Sequence, residues 1–543
     1  MHRKHFGKLA FCVTALLSFL FLPNAVGKST VDPQSGQYSN QSDRQLAATF
    51  SARERDWRNG AIVYQVLIDR FAPSGRLEEK RNLYPAPKIL RKWSEAPARG
   101  TLIPEIKLWS HEIDFWGGDL QSLSRRLDYI HQLGADVLYL NPIHLAYTNH
   151  KYDALDYLKI SPEFGTRQDL KTLTNDVHKL GMKIVLDGVF NHMGRNADIF
   201  KWASSDAKSP YRDWFYFGSQ YPGGARIWVD AENLPELNLE NKRVRDHIYA
   251  GPDSVVQSYL RDGIDGWRLD VAYDLGFVYL GELTRAAHQR KPGSLIVGEI
   301  ASYPKEWFPS VDGVMNFTAR EIILRTTLGE IDPRTAAQMM NRVIEEAGIE
   351  PMLKSWMMLD NHDNPRLATA LPQLGQQRLA QALQFTLPGS PNLYYGTELG
   401  MTGAEDPEMR APMRWDLVTK DNATLNWTKK LIELRKQHRA LRIGNFRLVS
   451  ANQLFAFERY TDHVEDTVVV LANPTKSDVN ETVLIANSKL MNGSFMVNLL
   501  DQSAKPVRVL ASMMRVTVPA GAVLILKPDV EPIAGYTPYK RVQ

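Results

Sequence analysis

Eight short apolar runs, with helical patterns between several of them, constrain this sequence more than any other feature. They are AIVYQVLI from 61, DVLYL from 136, KIVLDGV from 183, GIDGWRLD from 263, SLIVGE from 294, DGVMNF from 312, SWMMLD from 355 and NLYYGTE from 392. Most are nearly continuous in Val, Ile, Leu and Tyr rather than alternating, as strands covered on both faces must be. Stretches such as DLQSLSRRLDYIHQLG and QDLKTLTNDVHKLG carry the helical period and precede several of the runs. Alternating strand and helix predicts parallel strands joined by right-handed crossovers, and eight such units predict a closed (β/α)8 TIM barrel.

Two gaps break the spacing. The stretch between the third and fourth runs contains the aromatic segment SPYRDWFYF and is long enough for a small subdomain inserted after strand 3, at about 193–260. The segment 72–116, between the first two runs, reads as a long loop. Loops that follow barrel strands lie on the C-terminal rim, where sites are built. From 446 the pattern changes to strands without helices (LFAFERY, DTVVVLANP, SFMVNLLD, MRVTV, AVLILKP), which predicts a C-terminal antiparallel β-sandwich over 446–530 and a tail over 531–543. The barrel then occupies 58–445.

Residues 1–27 combine a basic start, MHRKHFGK, with an apolar run and small residues at Ala25 and Gly27, the pattern of a cleaved secretion signal. The polar segment 28–57 reads as a flexible lead-in. These features predict an exported chain, periplasmic or extracellular, with no membrane segment after cleavage. Loss of Arg3, Lys4 and Lys8 with the signal lowers the net charge from +4 to +1, which argues against nucleic acid as a partner. The single cysteine, Cys12, lies inside the signal, so the mature chain has no thiol chemistry.

The runs end in charge. Asp187 closes IVLD, Arg268 and Asp270 close GWRLD, Glu299 closes LIVGE, His362 and Asp363 follow WMMLDN, and His192 follows Asp187 in DGVFNH. Taken singly, an acidic residue after a strand is a helix cap or a turn former, and Arg268 with Asp270 is a surface ion pair on an edge strand. Charges delivered by several strands to one rim are costly unless chemistry uses them. No Gly-rich phosphate loop, HExxH, Cys/His cluster or GxSxG elbow is present. Carboxylates with an Arg and His suit glycoside hydrolysis, in which one carboxylate attacks the anomeric carbon and a protonated one gives its proton to the leaving oxygen.

DGVFNH, GWRLD, VGEI and DNHD, in this order, resemble the four characteristic motifs of the α-amylase family of glycoside hydrolases, and NLPELN at 233–238 is similar to its additional motif. HKYDALDY, ISPEFGT, SPYRDWF and EDPEMRAPMRW are most similar to the neopullulanase, cyclomaltodextrinase and maltogenic amylase branch. The resemblance implies a retaining enzyme acting on α-1,4 links of maltooligosaccharides, cyclodextrins, starch or pullulan through a covalent glycosyl-Asp intermediate. It makes Asp270 the nucleophile, Glu299 the general acid/base and Asp363 the carboxylate that holds sugar hydroxyls. It places Tyr152, Asp187, His192, Arg268, His362, Asp406 and Arg410 around the substrate, Arg268 keeping Asp270 ionised and Asp187 organising the site. Asp406 and Arg410 match a pair that contacts the sugar before the scissile bond or the one preceding it.

Asn191 matches a calcium-ligand position of many members, so the resemblance raises a structural calcium, although Asp274 replaces the His that often adds a backbone ligand. VAYD follows the nucleophile where the branch usually has VANE, and Ala301 stands near a common Trp, so the acceptor side departs from the pattern. Trp109, Trp116, Trp214 and Trp228 fall on rim loops, as sugar platforms or as core. Two other functions share these features. A transglycosylase differs in how well the acceptor site excludes water, and a non-catalytic glucan-binding homologue is expected to have lost part of the triad. The sequence sets no oligomeric state.

Overall fold

In the computed structural model, which describes residues 30–31, 38–39 and 41–542, the eight runs become eight parallel strands: β1 (Val63–Val66), β2 (Val137–Leu140), β3 (Lys183–Gly188), β4 (Gly266–Leu269), β5 (Leu295–Ile300), β6 (Gly313–Asn316), β7 (Trp356–Met358) and β8 (Ser390–Tyr394). Each pairs with the next in chain order, and β8 returns to pair with β1 and close the barrel. The segment 1–27, read as a secretion signal, lies outside the described residues.

Alternation along the strands sorts side chains into two cores. Val63, Val137, Tyr139, Val185, Val297, Met315, Trp356 and Met358 fill the barrel interior. Their neighbours Tyr64, Leu138, Leu186, Trp267, Leu269 and Ile296 join the larger core between strands and helices. The inward positions continue upward as polar groups. Asp187 pairs in register with Arg268, and Arg268 with Val297, so Glu299 and Asp270 lie one same-face step further along their chains. The apolar stack of the barrel is therefore topped by a charged layer at the C-terminal rim.

Residues 41–57 depart from the expected flexible lead-in, because Gln41–Arg55 forms a helix, α1. Phe50 is fully buried, and Arg53 binds Glu350 at 2.7 Å, the Ile443 carbonyl at 3.1 Å and Asn445 Oδ1 at 2.8 Å. Those partners exist only in the folded protein, so a polar segment with few apolar residues reads as loop from sequence.

After β3 the chain builds the inserted region from helix Asp198–Ser205, a run of turns and helix Val255–Arg261, packed around Phe200, Phe215 and Phe217. Beyond the barrel, β9 (Asn445–Leu448), β10 (Phe455–Tyr460), β11 (Val468–Ala472), β12 (Val479–Leu484), β13 (Phe495–Asn498), β14 (Val507–Arg508), β15 (Met513–Val518) and β16 (Val523–Pro528) form two antiparallel sheets. One has the order β9-β10-β11-β16-β13-β14, and the other pairs β12 with β15. They share a core that includes Leu471, Val483, Met514 and Leu526.

Two buried arginines fasten this end of the chain to the barrel. Arg435 donates to the carbonyls of Gly60 at 3.2 Å, Phe385 at 2.6 Å and Gly389, so it spans the entries to β1 and β8. Arg459 of β10 donates to the carbonyls of Thr386 at 2.7 Å, Gly444 at 2.9 Å and Leu441 at 3.2 Å. Gly60 has φ of 62°, and a Cβ there would stand 2.3 Å from the Arg442 carbonyl oxygen, so no other residue fits at this junction.

Candidate active site

A cavity of about 640 Å³ opens on the C-terminal rim, and Asp270, Glu299 and Asp363 all line it. Tyr152, His192, Asp406 and Arg410 line it as well. The strand ends thus bring the sequence-predicted residues into one place. Asp187 and Arg268 are a correction to the expected substrate-binding set, since both are fully buried below the cavity floor and meet the carboxylates rather than the cavity.

Arg268 is the hub. Its Nη1 lies 2.8 Å from Asp187 Oδ1 and 3.0 Å from Asp270 Oδ1, and its Nη2 lies 2.6 Å from Glu299 Oε1. Glu299 Oε2 accepts the Val271 amide at 2.9 Å. Val271 has φ of 36°, a left-handed conformation rare for a β-branched residue, and this turn aims its N–H at Glu299 directly after the strand has presented Asp270. Asp187 is held from the far side by the hydroxyls of Tyr139 at 2.7 Å and Tyr152 at 2.9 Å.

Burial pushes the carboxyls of Asp270 and Glu299 above their ordinary range; Arg268 pulls both back down, and neighbouring carboxylates push them up again. The expectation that Arg268 keeps Asp270 ionised is met in sign but outweighed, because one guanidinium is divided among three buried carboxylates. Carboxylates that share one cation in a buried cluster hold their protons more tightly than in water, the condition under which one of them can serve as an acid.

Asp363 behaves oppositely. Burial acts to raise it, but His362, Arg410 and Arg268 together hold it below the usual value. Arg410 Nη2 lies 3.0 Å from Asp363 Oδ1, its Nη1 lies 3.1 Å from Asp406 Oδ1, and its Nε donates to the His362 carbonyl at 2.8 Å. One arginine therefore links Asp363 to Asp406. Burial drives the His362 pKa down to about 3, so the ring is neutral. Amide nitrogens of Gln65 at 3.0 Å and Asn141 at 3.2 Å face its Nδ1 and leave the proton on Nε2, which donates to the Tyr152 hydroxyl, and Asp363 Oδ2 stands 3.0 Å from the same nitrogen. Tyr152 stacks on His362 with centroids 5.2 Å apart and planes 2° from parallel.

Burial also drives His192 to about 3. Among the described residues neither ring nitrogen makes a well-formed hydrogen bond, so a neutral imidazole beside the cavity keeps a donor for a ligand hydroxyl. It stacks at 5.5 Å on Trp228, whose Nε1 donates to Asp274 Oδ2 at 3.0 Å. Trp109 and Trp228 line the cavity, whereas Trp116 and Trp214 are buried core. Sequence reasoning missed Tyr139, Gln65, Asn141, His150 and Glu112. Asn141, a polar position at the end of an apolar run, carried the same signal that marked Asp187, and Gln65 interrupts the apolar run AIVYQVLI from within.

The residues around Asn191 do not fit a calcium ion. Among the described residues no group of three or more acidic, His or Cys side chains is placed to hold a metal, the Asn191 side chain supplies a single oxygen, and Asp274 faces Trp228. Calcium takes six to eight oxygens, usually with several carboxylates.

A closed parallel barrel carrying a carboxylate cluster around a buried arginine on its C-terminal rim defines an enzyme of carboxylate acid–base chemistry. Residues 65–424 match the family model described as the α-amylase catalytic domain, and the chain belongs to the α-amylase family of hydrolases. It is 31% identical over 499 residues to neopullulanase 2 of Thermoactinomyces vulgaris, covering 86% of this chain and 80% of the relative. It is 33% identical over 444 residues to a cyclomaltodextrinase of Geobacillus thermopakistaniensis, covering 79% and 69%. Among solved structures, the cyclic α-maltosyl-(1→6)-maltose hydrolase of Arthrobacter globiformis superposes with a TM-score of 0.73 at 30% identity, over 87% of this chain and 99% of that one.

Proposed function

We propose that this chain is an exported, retaining hydrolase of α-1,4-glucosidic bonds in maltooligosaccharides, cyclodextrins or starch, working through a glycosyl ester on Asp270. The observation that carries the reading is that Asp270 and Glu299 flank one cavity while bound to the two arms of a single guanidinium. That fork supports the close carboxylate spacing of retaining enzymes over the wider gap an inverting enzyme leaves for water. The names of the relatives support α-glucans as the substrate class.

In this reading Asp270 attacks the anomeric carbon as Glu299 gives its proton to the departing oxygen. Glu299, now a carboxylate, takes a proton from the water that releases the sugar. Asp363, ionised and gripped by Arg410 and His362, accepts hydrogen bonds from ring hydroxyls, and His192 donates one. Asp187 and Arg268 hold the two reacting carboxylates in register.

The test is proton NMR of the first-formed product of maltooligosaccharide cleavage. The α-anomer is expected; a β-anomer overturns retention. Glu299→Gln is expected to lower turnover by about 10²–10⁴-fold on sugar leaving groups, with much of the loss recovered on α-maltosyl fluoride, whose leaving group needs no proton. An unimpaired Glu299→Gln enzyme removes the acid assignment.

A further inference from the structure

The backbone around His192 is firmly held. His192 pairs antiparallel with Glu236, the Met193 N–H donates to the Pro235 carbonyl at 3.0 Å, the Leu237 N–H donates to the Asn191 carbonyl at 2.9 Å, and the Tyr157 hydroxyl donates to the His192 carbonyl. The ring is not held in the same way, because among the described residues neither of its nitrogens makes a well-formed hydrogen bond. The last torsion of a histidine side chain has broad minima, so packing must choose the plane in which this imidazole lies.

The packing partner is Trp228, whose indole stacks on the imidazole with centroids 5.5 Å apart and planes 29° from parallel. One short segment serves both residues. Ile227 pairs antiparallel with Pro235, the Glu236 N–H donates to the Arg226 carbonyl at 3.0 Å, and the Trp228 N–H donates to the Leu234 carbonyl at 3.0 Å. Residues 234–237, inside the stretch NLPELN, therefore form a strut with the histidine strand on one edge and the tryptophan strand on the other.

The indole then reaches out of the inserted region to the segment after β4. Its Nε1 donates to Asp274 Oδ2 at 3.0 Å. Asp274 lies in the first turn of the helix Ala272–Arg290, just past Asp270. Tyr273 lines the cavity, with its hydroxyl toward the same N–H, whereas the Asp274 carboxylate turns to the indole. Trp228 thus ties the turn that follows the β4 carboxylate to the histidine that follows β3.

We infer that Asp274 is a positioning residue for His192: it fixes the indole of Trp228 by a hydrogen bond, and the indole sets the plane from which the imidazole donates to the sugar. The inference rests on the proposed function, which gives His192 a sugar hydroxyl as its partner. A ring held by stacking tilts when its neighbour moves, and a donor turned off line loses much of its bond. A carboxylate suits the latch, because an ionised acceptor binds an N–H more strongly than a neutral one. Asp274 is exposed, so replacing it opens no hole in the core.

The experiment is a double-mutant cycle on kcat/KM with a short maltooligosaccharide, in a Tyr273→Phe background so that no hydroxyl takes over the indole N–H. The second position of the cycle is His192→Phe, which keeps a ring against Trp228 and removes the donor. His192→Phe is expected to lower kcat/KM about 10-fold or more, and Asp274→Ala about fivefold. Asp274→Asn, whose amide oxygen accepts the same N–H, should stay within about twofold of the parent. In enzyme already carrying His192→Phe, Asp274→Ala should cost nothing further, because no donor is left to misplace. A readout apart from activity is the ring-proton NMR signal of His192, identified by its absence from His192→Phe and shifted by the ring current of Trp228. Asp274→Ala should move that signal and Asp274→Asn should restore it. His192→Leu takes over both uses should His192→Phe fail to fold. An Asp274→Ala loss that is equal with and without the His192 donor overturns the inference, as does an unmoved His192 signal in folded Asp274→Ala enzyme. Full activity of His192→Phe removes the donor from the proposed function and the inference with it, whereas an impaired His192→Phe beside an unimpaired Asp274→Ala sinks the inference only.

Discussion

Replacing Arg268 by methionine removes the one cation that Asp187, Asp270 and Glu299 share while keeping an unbranched stem in its place. The arginine has no solvent exposure and contacts the three carboxylates at 2.8, 3.0 and 2.6 Å. A cation at that range holds a carboxylate pKa down by about 1–3 units. Its loss lifts Asp270 by that amount from a value burial has already raised. The nucleophile must be ionised to attack, so the acid limb of the kcat/KM profile moves up by about 1–3 pH units, and activity on the old plateau below the new limb falls about 10- to 1000-fold. Stripping one partner from a buried ion cluster also costs about 3–5 kcal/mol of stability. Carboxyls whose folded pKa lies above the unfolded value take up protons on folding, so the variant's deficit is full at high pH and shrinks as pH falls through those raised pKa values. The assay is a pH–rate profile of wild type and variant with a short maltooligosaccharide, paired with thermal midpoints on either side of neutrality. An unmoved acid limb, together with a midpoint that drops equally at both pH values, would refute the charge-sharing argument and leave Arg268 as packing.

Deleting residues 28–57 removes α1, whose Phe50 alone contributes about 1.5–3 kcal/mol by burial; the thermal midpoint should fall while kcat/KM at 25 °C stays near that of the full chain, and unchanged stability would show α1 to be dispensable. Chelation should leave both the thermal midpoint and activity unaltered, because the donor set around Asn191 offers too few oxygens for calcium, and a midpoint restored only by added calcium contradicts that reading.

Periodicity made the barrel legible. The apolar runs at 61, 136, 183, 263, 312 and 355 each contain the strand that forms, β5 passes the end of its run by one residue, to Ile300, and β8 starts before its run, at Ser390, because Pro391 interrupts the pattern. The charged strand ends were legible for the same reason: inward-facing polar residues in an otherwise apolar frame. The position of Arg268 followed from its spacing to Asp270, but its division among three carboxylates did not, since that depends on the register between β3, β4 and β5. Likewise the contacts of α1 with Glu350, Ile443 and Asn445 are far apart in sequence, and polar segments carry no period that announces a partner.

The arginines at 435 and 459 bear on how such a chain comes to be assembled. Both solvate the carbonyls beside the barrel's seam, and both are downstream of every strand the seam joins. A ribosome releases all eight strands before it supplies either clasp, so for much of synthesis the nascent protein holds an unfastened sheet with β1 waiting for β8. Chains terminated ahead of 459 should persist as aggregation-prone, protease-sensitive species, even though every residue assigned to chemistry has already been made.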